Sequence, residues 1–193
     1  IAHTIIDGST ATDDYGSCIL IYSLGDDCIT PTVLGFTIQN GIGTNVIRNP
    51  GTGNEEVQRI GGGLLFQLSN PTISYNQFLD NGKILASIRE GHDAHPNNNK
   101  TEIDSGGALY GGSSAEDWVF EPPTMNSRSR CNIEEFNLTN NLFKGNAAIE
   151  GNTFSNRYFE NTVNMSGSIF DVASCPEEQS EAIQVSSTWV NIE

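Results

Sequence analysis

Two short stretches of the sequence decide its fold: residues 73–81, which read ISYNQFLDN, and residues 138–146, which read LTNNLFKGN. Both keep Asn, Phe and Asn at the same three positions, and fainter copies follow at residues 149–154 (IEGNTF) and 165–170 (MSGSIF). A phrase that recurs in this way indicates one structural unit stacked on itself. Each copy then buries its apolar side against its neighbours.

The spacing inside each copy is typical of β-strands. Leu64 and Phe66 alternate with other residues, and Thr72, Ser74 and Asn76 alternate with apolar or aromatic ones. Asn and Gly interrupt the chain at short intervals, and both residues tolerate the left-handed backbone conformation that tight corners need. The sequence therefore predicts short strands joined by sharp corners, without helices between them.

Stacked copies would place equivalent residues about 4.8 Å apart. We expect an internal aromatic ladder from the phenylalanines of the four copies, namely Phe78, Phe143, Phe154 and Phe170. We also expect a ladder of amides at one corner, from Asn76, Asn141 and Asn152. The alternative is that these asparagines serve only as turn formers.

Several of these phrases resemble a known class of repeat protein. Residues 6–8 (IDG), 33–41 (VLGFTIQNG) and 106–110 (GGALY), with the N-x-F-x-x-N phrase, resemble the right-handed parallel β-helix repeats of the pectin-lyase-like class. The bacterial secreted and surface-anchored members are the most similar, and the resemblance covers residues 5–172 with interruptions. It implies an all-β solenoid with long loop insertions. It implies little about function, because this fold serves lyases, glycosidases, epimerases, tailspikes and adhesins.

Length and charge limit the partners that we expect. The chain of 193 residues fits a single domain, 1–193, which we interpret as a segment of a longer protein with a C-terminal cap at 173–193. Its net charge of −15 argues against nucleic acid, and against acidic glycans unless Ca²⁺ bridges the carboxylates. The absence of a run of 18 apolar residues argues against membrane insertion.

Four cysteines allow three pairings, of which we favour Cys18–Cys28 with Cys131–Cys175. Disulfides of this kind indicate a secreted or cell-surface protein, with reduced thiols as the alternative.

Three insertions interrupt the repeats, at about 42–60, 82–105 and 111–131, and function on repeat scaffolds tends to lie in such loops. The second holds His92, Asp93 and His95, residue types that bind divalent metal ions. The alternative for these residues is a solvated loop.

The insertion at 111–131 holds an aromatic and acidic group, Glu116, Trp118 and Phe120, of the kind on which sugars stack. The alternative is that Trp118 only packs its own loop. A glycosidase or lyase would need paired acids, for which Asp104, Glu116 and Asp117 are the candidates. No family catalytic motif is present, so we expect a non-catalytic structural or adhesive module that contacts glycans or neighbouring domains. The alternative is a polysaccharide-active enzyme with a groove between 82–105 and 111–131.

Overall fold

The computed structural model describes residues 4–11, 15–23, 28–48, 56–67, 69–83, 103–112, 117–118, 135–150, 154–157, 162–171, 183–185 and 189–192. Within these residues the chain is all-β, with short strands and no helix, as the sequence predicts. Accordingly, this part of the chain contains no helix long and apolar enough to cross a membrane.

Three of the four sheets are parallel throughout their described strands, which we number in chain order. Sheet I consists, in spatial order, of β1 (Thr4–Asp7), β5 (Phe36–Gln39), β10 (Gln77–Leu79), β15 (Leu142–Lys144) and β19 (Ile169–Asp171). Sheet III consists of β20 (Ile183–Val185), β17 (Phe154–Arg157), β12 (Leu109–Gly112), β8 (Leu64–Gln67) and β3 (Ile19–Tyr22). Sheet IV consists of β21 (Trp189–Ile192), β18 (Thr162–Ser166), β14 (Glu135–Thr139), β9 (Thr72–Ser74) and β4 (Thr32–Leu34).

Sheet II is mixed. Its spatial order is β13 (Asp117–Trp118), β6 (Gly43–Arg48), β7 (Glu56–Ile60), β11 (Ile103–Ser105) and β16 (Ala148–Glu150), with β2 (Tyr15–Gly16) also paired to β6. The strands β6 and β7 are antiparallel, so the predicted insertion at 42–60 contains the two strands of a hairpin. The pairs β7–β11 and β11–β16 are parallel.

Most of the described strands follow one recurring order of sheets, from III to IV, then I, then II, and back to III. The strand β13 departs from this order, because it returns to sheet II between β12 and β14. We call one such run a passage. Because each strand pairs with strands from the preceding and following passages, equivalent residues lie in columns across each sheet. The register that places Phe78 opposite Phe143 is the one that the repeated phrase predicts.

The main apolar cluster among the described residues is formed by the inward columns of sheets I, III and IV, and a smaller one lies between sheets II and III. Phe78 and Phe143 are buried, and their rings stack with centroids 5.0 Å apart. Phe143 stacks in turn on Phe170 at 5.1 Å, so the aromatic ladder is confirmed for these three rings. It is wrong for Phe154, which lies in sheet III opposite Leu109. An Asn-x-Phe spacing marks a corner followed by a strand, and it does not specify which sheet that strand joins.

The predicted Cys18–Cys28 bond is also wrong. Cys18 carries a free thiol, whereas Cys28 is disulfide-bonded. Cys18 lies directly before β3 and packs against the core, while Cys28 is exposed beyond the end of that strand. The other cysteines, Cys131 and Cys175, lie outside the described residues.

Candidate functional site

Sheet I is bounded by two corners at which the backbone takes the left-handed conformation. Corner 1 joins sheet IV to sheet I. Its aligned left-handed residues have φ between 54° and 76°, and they are Gly35, Tyr75, Asn140 and Gly167. Corner 2 joins sheet I to sheet II, and its left-handed residues are Asn40, Asp80 and Gly145. Gly and Asn suit such positions, whereas a bulky residue such as Tyr is rare there.

The asparagines that follow Tyr75 and Asn140 at corner 1 form the predicted amide ladder. Asn141 Oδ1 accepts a hydrogen bond from the backbone N–H of Asn76 at 2.9 Å, and Asn141 Nδ2 donates to the carbonyl of Ile73 at 2.9 Å. Asn76 repeats this pattern one passage away, with the Phe36 N–H and the Val33 carbonyl at 2.9 Å each. Both asparagines are buried, so their amides satisfy backbone groups that water cannot reach.

Ser168 continues the ladder at corner 1. Its hydroxyl accepts from the Asn141 N–H and donates to the Leu138 carbonyl, at 3.2 Å each. The sequence predicts Asn152 as the third member, and Asn152 lies outside the described residues. Ser168 is the residue that aligns with Asn141, because Ile169 pairs with Leu142.

Corner 2 contains a second ladder that the sequence interpretation missed. Asn146 Oδ1 accepts from the Asn81 N–H at 3.0 Å, and Asn146 Nδ2 donates to the Phe78 carbonyl at 3.0 Å. Asn81 bonds in the same way to the Gly41 N–H at 2.9 Å and to the Ile38 carbonyl at 3.0 Å. The repeated phrase does hold the pattern, since it ends in Asn at both 81 and 146.

The free thiol of Cys18 lies at the end of this second ladder. A Cβ atom added at Gly41 would collide with the Gly62 carbonyl and would lie 2.9 Å from Cys18 Sγ, so the Gly62 backbone and the thiol together fill the space that a side chain would need there. The thiol donates a hydrogen bond to the Gln39 carbonyl at 3.2 Å. Burial raises the pKa of the Cys18 thiol to about 11, which leaves it poorly nucleophilic at neutral pH.

The outer surface of corner 2 and the adjoining side of sheet I is charged. Asp7 accepts hydrogen bonds from Gln39 Nε2 at 2.7 Å, Ser9 N–H at 2.9 Å and Asn40 Nδ2 at 3.1 Å. These bonds, with that from Gln39 the strongest, hold the pKa of Asp7 well below its usual range. Two exposed ion pairs lie along the same surface, Asp80–Lys83 at 2.7 Å and Lys144–Asp171 at 4.0 Å.

The outer surface of corner 1 carries no charged residue in its described columns. The strand column before the corner contains Leu34, Ser74, Thr139 and Ser166, and the column after it contains Ile5, Thr37, Gln77, Leu142 and Ile169. Large apolar or aromatic side chains are well exposed there: Tyr75 and Ile169 at 63%, Ile5 at 59% and Leu34 at 53%. This surface therefore offers hydroxyls, amides and apolar groups in a strongly acidic protein.

The structure describes only part of the predicted sites. Asp117 and Trp118 form β13, paired with Arg48 and Ile47 of β6, and Asp104 lies in β11 of the same sheet. Since β6 and β7 separate these two strands, their backbones are about 14 Å apart at normal strand spacing. The remaining predicted residues lie outside the described part of the chain: His92, Asp93, His95, Glu116 and Phe120.

No group of three or more His, Cys, Asp or Glu side chains that would suit a metal ion occurs among the described residues. Comparison of the chain with protein-family models, with curated proteins and with solved structures finds no match.

Proposed function

We propose that this chain is a right-handed parallel β-helix that serves as a non-catalytic structural or adhesive module outside the cell. The recurring order in which the chain visits its sheets supports a solenoid, and so does parallel pairing between successive passages in sheets I, III and IV. The hand follows from the strong preference of parallel crossovers for right-handed connections. A solenoid of this kind acts as a rigid spacer that displays its outer surface.

One observation carries this proposal. The buried amides of Asn76, Asn81, Asn141 and Asn146 each bond to backbone groups of another passage. These buried amides hold neighbouring passages together, and a structural role for the chain follows from that arrangement.

Two further features support the location and the adhesive role. A disulfide at Cys28 fits an oxidising compartment, which favours a secreted or cell-surface protein. The exposed apolar and hydroxyl groups of corner 1 fit contact with a glycan, or with neighbouring domains of the same polypeptide.

The test combines two assays on the whole chain: binding to a glycan array and release of reducing sugar from polysaccharides. We expect binding without release. Release that Asp104→Ala or Glu116→Ala abolishes would contradict this proposal and establish the polysaccharide-active alternative. If the chain shows neither binding nor release, the proposal is reduced to its purely structural form, a spacer between domains.

A further inference from the structure

Tyr75 occupies a position that the fold does not favour for it. Its φ of 56° is left-handed, and the aligned residues of the other passages are Gly35, Asn140 and Gly167, which tolerate this conformation better. A bulky aromatic residue in the left-handed region is a genuine outlier, and such outliers cluster at functional sites.

Packing of the side chain does not offset this strain, because 63% of Tyr75 is exposed. The backbone also gains nothing from a tyrosine here. The Tyr75 N–H donates to the Thr139 carbonyl at 3.1 Å, and the Gly35 N–H makes the equivalent bond to the Ser74 carbonyl at 3.3 Å. Asn or Gly at position 75 would serve the corner as well or better, so the ring needs a reason other than folding.

The surroundings of Tyr75 indicate what the ring would bind. One passage away lies the exposed Asn140, and the half-buried Gln77 and Thr139 flank the corner. Each of these three residues lies no more than about one or two strand spacings from Tyr75. The neighbouring outer columns carry no charged residue, whereas the surface at corner 2 carries Asp80 and Lys83 within five to eight residues along the same passage.

We propose that Tyr75 is the stacking residue of a binding site for a neutral saccharide chain at corner 1. The apolar face of a pyranose packs on the exposed ring, and its hydroxyls bond to the amides of Asn140 and Gln77 and to the Thr139 hydroxyl. An acidic saccharide is repelled by the net charge of −15 and finds no cation in these columns. The inference rests on the proposed adhesive role and names its ligand class and its central residue.

A saccharide fits this surface better than an apolar protein surface does. At corner 1, amide and hydroxyl side chains lie among the exposed apolar ones, whereas a protein partner generally docks on a contiguous apolar core. A protein partner is therefore treated as the competing outcome.

The experiment is a titration of the whole chain with cellohexaose, xylohexaose, mannohexaose and hexagalacturonate. The key variant is Tyr75→Asn, which copies Asn140 of the following passage and keeps the corner in a conformation that asparagine tolerates. The matched control is Asp80→Asn, which copies Asn40 at the left-handed position of corner 2. Tyr75→Phe retains the ring and removes only its hydroxyl.

We expect at least one neutral hexasaccharide to bind the wild-type chain, and hexagalacturonate to bind at least tenfold more weakly. Tyr75→Asn should weaken binding of the neutral sugar at least tenfold and raise the melting temperature by about 2–4 °C, because strain is relieved. Tyr75→Phe should stay within about threefold of wild type, and Asp80→Asn should leave affinity unchanged.

Four results would overturn the proposal. They are no binding of any neutral hexasaccharide, equal binding of hexagalacturonate, unchanged affinity in Tyr75→Asn, or a lower melting temperature in that variant. The first would leave a protein as the occupant, and the last would make the ring a packing residue. None of them would establish catalysis, so the proposed scaffold role is judged separately by the sugar-release assay.

Discussion

Corner 1 and corner 2 turn the chain in the same way, with a left-handed residue followed by a buried asparagine, but their outer surfaces differ. On the inside, Asn141 and Asn146 make equivalent bonds at 2.9 to 3.0 Å to the neighbouring passage. On the outside, corner 2 carries the charged pair Asp80–Lys83, and corner 1 carries the exposed ring of Tyr75.

This difference shows which positions the fold controls. The inward asparagines Asn141 and Asn146 each satisfy a backbone N–H and a backbone carbonyl of the preceding passage, so their amide chemistry is tied to the fold. The outward residue needs only to tolerate a positive φ, and its chemistry is free to serve a ligand. Conserved geometry inside and varied chemistry outside is how a repeat scaffold acquires a local function.

The largest expected effect breaks the shared interior. Asn141→Ala leaves the buried Asn76 N–H and the Ile73 carbonyl without their partners, and should lower the free energy of unfolding by about 2–5 kcal/mol. Asn146→Ala should cost the same amount at corner 2, for the same reason. Urea denaturation measures both, with Asn140→Gly as the exposed neighbouring control, expected to change stability by less than about 1 kcal/mol. A loss at one corner only would contradict their equivalence.

A second effect distinguishes corner 2, where the Cys18 thiol ends the ladder. Its pKa is raised by burial to about 11 from an ordinary value of 9.0, so the folded chain keeps its proton between these pH values while the unfolded chain loses it. Stability is thus unaffected below pH 9 and should fall by about 2 kcal/mol as the pH rises to 11.

Denaturation of wild type and Cys18→Ala across pH 8 to 11 tests this, because the variant should lose that part of the alkaline decline. At pH 8 the native thiol should also react about a hundredfold more slowly with a disulfide reagent than the unfolded one does. Equal reaction rates would place the thiol at the surface.

Left-handed glycines provide a smaller effect at both corners. Gly145→Ala and Gly167→Ala force a Cβ into a backbone of positive φ, at 67° and 60° respectively, and should each cost about 1–2 kcal/mol. The added methyl also meets Asp80 Oδ1 at corner 2 and Asn140 Oδ1 at corner 1, but both are exposed side chains that can move aside. Thermal melts of the two variants should agree within a few degrees, and a loss above about 4 kcal/mol would show that these side chains are fixed.

The smallest effect separates the outer surfaces by pH. Hydrogen bonds lower the pKa of Asp7 in the folded chain. Asp7 therefore stabilises the fold at pH values above 3.8, its ordinary pKa, and this stabilisation is lost as the pH falls through the lower pKa of the folded state. In Asp7→Asn the melting temperature should therefore fall less steeply below about pH 4 than in wild type, and it should change little at pH 7. Tyr75→Asn at corner 1 should leave the acid limb as in wild type. If the melting temperature of Asp7→Asn falls with decreasing pH as it does in wild type, this role for Asp7 is contradicted.

The sequence predicted the stacked register because Asn and Phe keep a fixed offset in two copies, which aligns Asn76 with Asn141 and Phe78 with Phe143. The same offset misled at Phe154, since a local phrase does not identify the sheet that a strand joins. The second ladder was equally predictable, because the repeated phrase ends in Asn at both 81 and 146. Only the hydrogen bonds that these side chains make depended on the structure.

Other features depend on contacts that are distant in sequence. Cys18 stays free because its sulfur lies against Gly8 and Gly41 beside the Gln39 carbonyl, which spacing along the chain does not reveal. The exposure of Tyr75 was similarly hidden, because it alternates in a strand-like phrase that suggested an ordinary strand residue. The candidate site at corner 1 follows from its backbone conformation and from the aligned residues of other passages.

Amide hydrogen exchange tests the equivalence of the two corners most directly. The backbone amides of Asn76 at corner 1 and Asn81 at corner 2 donate to buried side-chain oxygens of the next passage, at 2.9 and 3.0 Å. We predict that both exchange only through global unfolding, within about tenfold of each other and of Phe78 in the core. Exchange of either amide on the timescale of an exposed loop would contradict the stacked ladders.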